Sequence, residues 1–363
     1  MEIAIIGLPQ SGKSTLFRAL IGLGGTTLDD RREAPLVGVA KVADSRLDQL
    51  AAIFRPKRIV PAEITLRDLP QPRGERVQQA IGGQQLNLLQ TADALLLVVR
   101  TFQEDSVPHV MSNVDPHRDV EAMTGEMALS DLIILERRVE RIQGQMKGAK
   151  TAEREALSRE LAVLDRVKGE LEHEVPIREQ SLSDAERRLL ANYQFLTAKP
   201  LLIVFNLGEE SLGNAAAIEE DARSRYAREG IATAVVSAKL EAELAEMEPS
   251  EQAEFRQSLG ATGVGTGEML RKAQELVGIV PFFTVGPDEV RAWMVPKDTL
   301  LPRASGTIHS DMERGFIRAE VIAFQDLMKC GSMAEARRQG VLRLEGRDYV
   351  VKDGDIINVL FNV

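Results

Sequence analysis

The chain has 363 residues, of which 44% are apolar and 28% charged, and its formal net charge is −10. That length predicts two or three domains, and the negative charge argues against a protein that coats DNA or RNA by bulk electrostatics. A single cysteine, Cys330, excludes an internal disulfide and is typical of a reducing compartment. The longest apolar run, residues 94–99, is far shorter than a membrane-spanning helix, and the N-terminus carries no signal-type pattern. We therefore expect a cytoplasmic protein without a membrane partner.

Apolar runs in the first and middle parts of the chain predict a parallel sheet. They are residues 1–6, 94–99 and 201–205, and residues 231–237 are a further candidate. These runs are continuous rather than alternating, as in strands that helices cover on both faces. A helix is predicted over residues 15–23, after the loop that follows the first run, because Leu16, Leu20 and Leu23 recur there at helical spacing. Strands that alternate with helices predict a doubly wound, mostly parallel α/β fold.

Residues 126–196 show almost no strand pattern and instead repeat apolar residues at spacings of three and four. This pattern predicts an antiparallel, coiled-coil-like helical hairpin inserted into the α/β domain, with a third helix near residues 184–195. The charges between the apolar positions are interpreted as a solvated face, with a partner-binding prong as the alternative. The two apolar stripes are Leu132, Leu135, Val139, Ile142 and Met146, and Leu157, Leu161, Leu164 and Leu171.

The pattern changes again after residue 281. Short strand-like runs occupy residues 290–295, 317–324, 341–344, 349–351 and 356–361, and one helix is predicted near residues 333–339. Asp353-Gly354 is typical of a hairpin turn. These features predict a compact α+β domain of the ubiquitin-like kind. We expect Trp293 and Phe316 to pack in its core rather than to stack on bases.

The segment from Gly7 to Ser14 matches G-x-x-x-x-G-K-[ST] in full, and it follows the first predicted strand and opens a helix. Glycines allow the backbone N–H groups to curl around phosphate oxygens, and the helix N-terminus adds its positive dipole end. Lys13 is predicted to reach the β- and γ-phosphates as a catalytic residue, and the Ser14 hydroxyl to bind Mg²⁺. The nucleotide-binding residues predicted here are Pro9, Gln10, Ser11, Gly12, Lys13, Ser14 and Thr15.

Asp68 is the predicted second ligand of the Mg²⁺ ion. It ends the strand-like run at residues 64–68, where P-loop proteins place an acidic residue that holds the metal through water. GTPases continue from this residue as D-x-x-G, and that glycine senses the γ-phosphate. Here position 71 is Gln71, so the γ-phosphate contact is altered. An ordinary loop carboxylate is the alternative interpretation of Asp68.

Asn206 stands where GTPases begin the guanine-reading motif N-K-x-D, but Leu207 replaces the lysine and Glu209 the aspartate. The longer Glu209 is poorly placed for the two N–H groups of guanine, and an unpaired guanine edge costs about 2–4 kcal/mol. The replacements therefore favour ATP, with GTP binding more weakly. Outside the P-loop, the predicted nucleotide-binding residues are Asn206, Leu207, Glu209, Ser237 and Ala238, the last two in a loop that would close over the base.

Taken together, these residues resemble the YchF or Obg-like ATPases over nearly the whole chain. The N-x-x-E variant at 206–209 is typical of that family, and the similar stretches are residues 114–132, 237–246, 290–293, 306–309, 315–321 and 344–350. The resemblance implies a nucleotide-binding domain over residues 1–125 and 198–279, a coiled-coil insertion over 126–197, and a β-grasp TGS domain over 280–363. It also implies slow, Mg²⁺-dependent ATP hydrolysis, association with the ribosome or ribosomal RNA, and a catalytic role for the loop histidine, here His109.

The chain departs from the family pattern at two places that respond to the γ-phosphate. Residues 29–35 contain no threonine in register with the family's Mg²⁺-binding threonine, and residues 68–72 lack the family's glycine. These departures leave three functional hypotheses. A slow ATPase is the first, a nucleotide-binding module with little or no hydrolysis is the second, and a conventional GTPase is the third.

Overall fold

The computed structural model describes residues 1–23, 34–70, 81, 83–259, 261 and 265–362. Its strands are β1 (Glu2–Ile6), β2 (Leu36–Val42), β3 (Arg58–Val60), β4 (Ala62–Asp68), β5 (Ala94–Arg100), β6 (Leu201–Asn206), β7 (Ile231–Val236), β8 (Ile279–Val285), β9 (Glu289–Pro296), β10 (Phe316–Ala323), β11 (Arg343–Glu345) and β12 (Asp355–Phe361).

The helices alternate with these strands in the first part of the chain and cluster in the middle. They are α1 (Lys13–Leu20), α2 (Ser45–Phe54), α3 (Gly83–Thr91), α4 (Pro116–Met146), α5 (Thr151–Glu172), α6 (Asp184–Ala191), α7 (Ala215–Tyr226), α8 (Ala238–Leu244), α9 (Pro249–Ser258), α10 (Thr266–Val277), α11 (Leu301–Ile308), α12 (Ser310–Arg314), α13 (Phe324–Cys330) and α14 (Met333–Arg338). Among the residues described, none of these helices combines the length and the apolar composition that a transmembrane segment needs.

Two compact units make up the chain. The first consists of Met1–Val39 and Thr65–Ala273, and the second of Ala40–Ile64 and Gln274–Val363. The segment that contains α2 and β3 thus groups with the C-terminal part, which the sequence pattern did not indicate. The three-domain division by residue number stays a prediction.

One sheet of the structure has six strands in the order β2-β4-β1-β5-β6-β7, and β1, β5, β6 and β7 lie entirely in the first unit. Strand β1 pairs in parallel with β4 and β5, and the β5-β6 and β6-β7 pairs are parallel as well. Every residue of β5 and β6 is buried, as continuous apolar strands require. The predicted α/β fold is confirmed. Since the parallel strands end at one edge of the sheet, the loops after β1, β5, β6 and β7 lie at that edge.

The predicted helical hairpin is also confirmed. Asp115 begins α4, since its side chain accepts a hydrogen bond from the Arg118 N–H at 3.1 Å, and Pro116 occupies the first turn. Helices α4 and α5 pack through buried apolar residues, to which α6 and the segment after it add further contacts. The buried members of this cluster are Leu135, Ile142, Leu164, Val167, Leu171, Ile177, Leu190 and Phe195.

The second unit contains a sheet with the order β11-β10-β12-β8-β9-β3. Antiparallel pairs β8-β9 and β10-β12 are joined through a parallel β12-β8 contact, which is the β-grasp arrangement that the sequence predicted. Phe316 is buried in its core and Trp293 packs against it, as expected. Two expectations were wrong. Around residues 349–351 only an isolated bridge from Val350 to Leu300 forms, and α11, α12 and α13 accompany the single predicted helix.

Candidate nucleotide-binding site

The loop between β1 and α1 has a backbone that only glycine accommodates at two positions. Gly7 has φ 147° and Gly12 has φ 95°, both in the region that disfavours a side chain. A Cβ atom at Gly7 would collide with the Val98 carbonyl oxygen, and one at Gly12 with the Asn206 amide nitrogen. The loop is therefore tightly curled against β5 and β6, and α1 begins directly after it, at Lys13.

The Lys13 ammonium group lies inside this loop. Its Nζ donates hydrogen bonds to the carbonyl oxygens of Gly7 at 2.8 Å and Leu8 at 2.6 Å. Burial lowers the pKa of Lys13 to about 8, and the nearby Asp68 carboxylate opposes that shift. A cation held by backbone carbonyls within a curled loop is a suitable donor for phosphate oxygens.

Ser14 and Asp68 meet beside this lysine. The Ser14 hydroxyl donates to Asp68 Oδ2 at 2.9 Å, and Asp68, at the end of β4, is completely buried. Two hard oxygen donors next to a phosphate-binding loop fit Mg²⁺, which prefers oxygen ligands and usually takes only one or two protein groups besides phosphates and waters. The predicted pair of metal ligands is therefore brought together.

Asn206, at the end of β6, joins the two loops of the site. Its Nδ2 donates to the Ser11 carbonyl oxygen at 2.9 Å, and its Oδ1 accepts from the Ala238 N–H at 2.9 Å. Thr101, which follows β5, adds hydrogen bonds to the Asn206 carbonyl oxygen from its N–H at 3.1 Å and its hydroxyl at 2.5 Å. Both ends of the Asn206 amide are thus engaged with protein backbone. Sequence reasoning missed Thr101, because only the pairing of β5 with β6 brings it here.

A cavity of about 300 Å³ lies between these loops. Its lining includes Gly12, Thr15, Asn206, Glu209, Ser237 and Ala238, which were all predicted to bind nucleotide. Leu207 also lines it, although its side chain is almost fully buried in the core. The other P-loop residues that were predicted to bind nucleotide lie outside this lining, namely Pro9, Gln10, Ser11, Lys13 and Ser14. Gln10 is exposed with φ 63°.

Two polar features of this cavity bear on what it binds. The Glu209 carboxylate accepts a hydrogen bond from Lys239 Nζ at 2.7 Å, so its charge is paired. The Ser237 hydroxyl oxygen, in the cavity lining, is buried and, within the described part of the chain, has no hydrogen-bond partner. Because buried hydroxyl groups normally have a partner, the Ser237 hydroxyl is available to a ligand in this cavity.

Phe102 and Arg100 form a part of the site that sequence reasoning missed. The buried Arg100 guanidinium lies 4.5 Å from the centre of the Phe102 ring and donates to the Phe102 carbonyl oxygen at 3.0 Å. Phe102 lines the cavity. Its one sequence signal is its position directly after the apolar strand β5, where ligand-binding loops of α/β sheets begin.

His109 lies in the loop between β5 and α4, where it is buried and contacts the start of α4. Its Nδ1 accepts from the Met111 N–H at 3.1 Å, so the ring proton lies on Nε2, which donates to Asp119 Oδ2 at 2.8 Å. Arg118 holds the other Asp119 oxygen at 2.9 Å. His109 is not among the residues that line the cavity. Its catalytic role stays a prediction.

The two segments that depart from the family pattern, residues 29–35 and 68–72, lie largely outside the described residues. Residues 29–33 of the segment before β2 lie outside the described residues, as do Gln71 and Pro72. The predictions that the γ-phosphate contacts are altered therefore remain predictions.

Comparisons with known proteins agree with this fold. Residues 2–137 match a family model described as a 50S ribosome-binding GTPase, and residues 279–362 match the YchF GTPase C-terminal family, described as a protein of unknown function. The ribosome-binding ATPase YchF of Bacillus subtilis (strain 168) is 37% identical over the full length of both chains. That of Escherichia coli O157:H7 is 38% identical, over 100% of this chain and 99% of the relative.

A solved structure extends the likeness to three dimensions. The YchF GTPase of Schizosaccharomyces pombe superposes with a TM-score of 0.86 at 28% identity, covering 99% of this chain and 97% of that one. The likeness spans the nucleotide-binding loops, the helical hairpin and the C-terminal β-grasp domain together. The chain therefore belongs to the YchF family of P-loop nucleotide-binding proteins.

Proposed function

We propose that this protein binds ATP with Mg²⁺, hydrolyses it slowly, and uses its nucleotide state to control association with the ribosome. The observation that carries the proposal is the Asn206 amide, which ties the P-loop at Ser11 to the base loop at Ala238. This bridge sets the phosphate-binding and base-binding parts of one site at a fixed separation. The naming of the Bacillus subtilis and Escherichia coli relatives as ribosome-binding ATPases supports it.

The preference for adenine is proposed from the groups that face the base. Guanine recognition needs a carboxylate that accepts from two neighbouring N–H groups at once. Glu209 is instead paired with Lys239 at 2.7 Å, and releasing it to meet guanine would break that contact. The Leu207 side chain is almost fully buried in the core and supplies no polar group that would distinguish the purines. ATP therefore binds more tightly than GTP.

Phosphate chemistry is assigned to residues at the start of α1. Lys13 leaves its two carbonyl partners and donates to the β- and γ-phosphate oxygens, which stabilises the negative charge that they share. Ser14 and Asp68 would hold Mg²⁺, which supplies charge neutralisation and orientation of the phosphates when bound. Slow hydrolysis follows because His109, the candidate that would position water, has both ring nitrogens bound within its own loop and α4.

Turnover measurements test the enzymatic part of the proposal. Phosphate release from Mg²⁺-ATP is measured for the wild type, for Lys13→Ala, and for Lys147→Ala, an exposed lysine at the end of the hairpin. We expect slow turnover in the wild type and the control, and at least a hundredfold loss in Lys13→Ala. Equal turnover in all three proteins would show that the P-loop does not hydrolyse the nucleotide.

Co-sedimentation with purified ribosomes tests the partner. The protein is incubated with ribosomes in the presence of ATP, ADP or no nucleotide and pelleted through a sucrose cushion. The proposal expects different pelleted fractions with ATP and ADP, and the same fraction in all three conditions for Lys13→Ala. A wild-type fraction that does not depend on nucleotide contradicts the control by nucleotide state.

The binding-module alternative is favoured by one observation. Because His109 is locked by Asp119 and Met111 away from the cavity lining, the site holds no described group poised to activate water. Calorimetry that finds tight ATP binding, together with no phosphate release over several hours, would favour this alternative over the slow ATPase.

A further inference from the structure

A second cavity, of about 320 Å³, lies beside the start of β6. Its walls come from the 3₁₀ turn Ile177–Glu179, from one face of α6 and the turn after it, and from the segment that leads into Leu201. The buried side chains of Ile177, Leu190 and Phe195 supply apolar surface. Three cationic side chains, those of Arg178, Arg187 and Lys199, also line it, and no carboxylate does among the described residues.

This charge pattern is unusual for the chain. The protein carries a net charge of −10, yet every charged group that lines this cavity is positive. Lys199 is already committed, since its Nζ donates to the Ala92 carbonyl oxygen at 2.7 Å. Arg187 is exposed and, in the part of the chain that is described, forms no ion pair. Arg178 and Arg187 are therefore the cations that remain available.

Arg178 is the residue that points most directly to a ligand. Its side chain is more than nine-tenths buried, with 8% of the residue exposed. Nε donates to the Lys199 carbonyl oxygen at 2.7 Å and Nη2 to that of Leu196 at 3.2 Å, while Nη1 has no hydrogen bond to any described residue.

The charge of this guanidinium is also unpaired. The negative charges of Asp131 and Glu179 act on Arg178 from a distance, but within the described ranges no carboxylate lies within 4.0 Å of it. A buried charge without a paired partner is costly, and a guanidinium keeps its charge at neutral pH. A carboxylate that entered the cavity would remove this cost.

The apolar walls of the cavity indicate that the rest of the ligand is apolar. Inorganic anions would leave the surfaces of Ile177, Leu190 and Phe195 in water, whereas an aromatic or aliphatic body would bury them. The second cavity also lies apart from the nucleotide-binding cavity. Pro200, which lines the second cavity, directly precedes β6, whereas Asn206, which lines the nucleotide-binding cavity, is the last residue of β6. A six-residue strand spans roughly 20 Å, so the two cavities lie at opposite ends of β6.

We propose that this second cavity binds an apolar monocarboxylate, with its carboxylate on Arg178 and Arg187 and its apolar body against Ile177, Leu190 and Phe195. The same chemistry is offered by a free small acid and by the C-terminal residue of a protein chain, for instance one that ends in phenylalanine. The site is independent of the proposed ATPase activity and does not compete with nucleotide.

Titration with 4-phenylbutyrate, followed by saturation-transfer NMR on the full chain, tests the proposal. We expect saturable binding that is unchanged by saturating Mg²⁺-ATP. Its uncharged analogue 4-phenylbutan-1-ol and inorganic phosphate should each bind at least about tenfold more weakly, because one lacks the charge-assisted hydrogen bonds and the other lacks the apolar contact. A hexapeptide ending in Leu-Phe with a free carboxylate, compared with its C-terminal amide, distinguishes the two sources.

Variants locate the binding. Ala191→Trp fills the cavity from an exposed position on α6 and should abolish binding, while Ala185→Trp, exposed on the same helix outside the lining, should not change it. Arg187→Ala should weaken binding severalfold. Arg178→Gln should abolish it, and since Arg178 also holds two backbone carbonyls, its fold is checked by circular dichroism.

The proposal is supported if 4-phenylbutyrate or the peptide with a free carboxylate binds saturably and Ala191→Trp removes that binding. The tighter binder of the two identifies the source of the carboxylate. Any of three results would overturn the proposal: neither carboxylate shows saturable binding, binding survives Ala191→Trp, or the alcohol binds as well as the acid. Because nucleotide is not required, failure here leaves the ATPase proposal untouched.

Discussion

Removal of the Asn206 side chain is the most informative single change in the nucleotide site. Asn206→Ala deletes two hydrogen bonds of 2.9 Å and leaves the Ser11 carbonyl and the Ala238 N–H without partners in a buried place. Each buried group that loses its partner costs about 1–3 kcal/mol, so we expect a total loss of about 2–6 kcal/mol for the two groups. If that loss falls on binding, it corresponds to roughly 30- to 25,000-fold weaker nucleotide affinity.

The assay is calorimetric titration with Mg²⁺-ATP and with Mg²⁺-GTP. Because the Asn206 amide is used on protein backbone and not on the base, both affinities should fall by a similar factor. Asn206→Asp should be at least as damaging, since it keeps the acceptor for Ala238 but sets a carboxylate oxygen against the Ser11 carbonyl. Asn214→Ala, at an exposed asparagine without a side-chain cap bond, is the matched control.

Two results would refute this reasoning. An Asn206→Ala protein that binds ATP within about threefold of the wild type would show that the bridge does not organise the site. A loss confined to one of the two nucleotides would show that Asn206 reads the base instead.

Three further changes have defined expected results. Gly12→Ala should weaken nucleotide binding by at least tenfold in calorimetry, because its Cβ would collide with the Asn206 amide and its φ of 95° is strained for alanine. Glu209→Asp should reduce the ratio of ATP to GTP affinity by about tenfold in competition binding, since the shorter carboxylate suits the guanine edge better. Burial raises the pKa of Asp131 to about 6 from its usual 3.8, so unfolding free energies measured in urea should fall as pH rises through that window. The free energy of unfolding of the wild type should fall by about 3 kcal/mol over this pH range. The Asp131→Asn variant has no titrating carboxyl at this position and should not show this fall.

The sign of the Asp131 effect follows from proton binding. Between pH 3.8 and about 6 the folded carboxyl keeps its proton and the unfolded one does not, so folding is favoured at the acidic end and that advantage is lost above about pH 6. A wild type and an Asp131→Asn variant with parallel pH profiles would contradict it. Gly213→Ala, where a Cβ meets open space, is the control for Gly12. Glu220→Asp is the control for Glu209, because Glu220 also forms a surface ion pair and lies outside the cavity lining.

The parts of the site that depend on local sequence were predictable. The P-loop is a contiguous motif whose spacing follows from phosphate geometry, and Asp68 was proposed from its place at the end of a short strand-like run. The helical hairpin follows from a period of three and four sustained over tens of residues. Each of these signals lies within a short window of the chain.

What the sequence could not reveal depends on contacts between distant residues. The bridge from Asn206 to Ser11 spans 195 positions and exists only because β6 lies two strands from β1. The parallel pairing of β3 with β9, from Arg58 to Glu289, likewise has no local signal. Helices α11–α13 were missed because segments of five to eight residues are too short to show a helical period.

Equilibrium binding of Mg²⁺-ATP, measured side by side with Lys13→Ala, tests the central claim most directly. We predict one ATP bound per wild-type chain, weaker binding of GTP, and at least a hundredfold loss of ATP affinity in Lys13→Ala, while the Lys147→Ala control stays unchanged. Equal ATP affinity in the wild type and Lys13→Ala, or no measurable binding in the wild type, would contradict it.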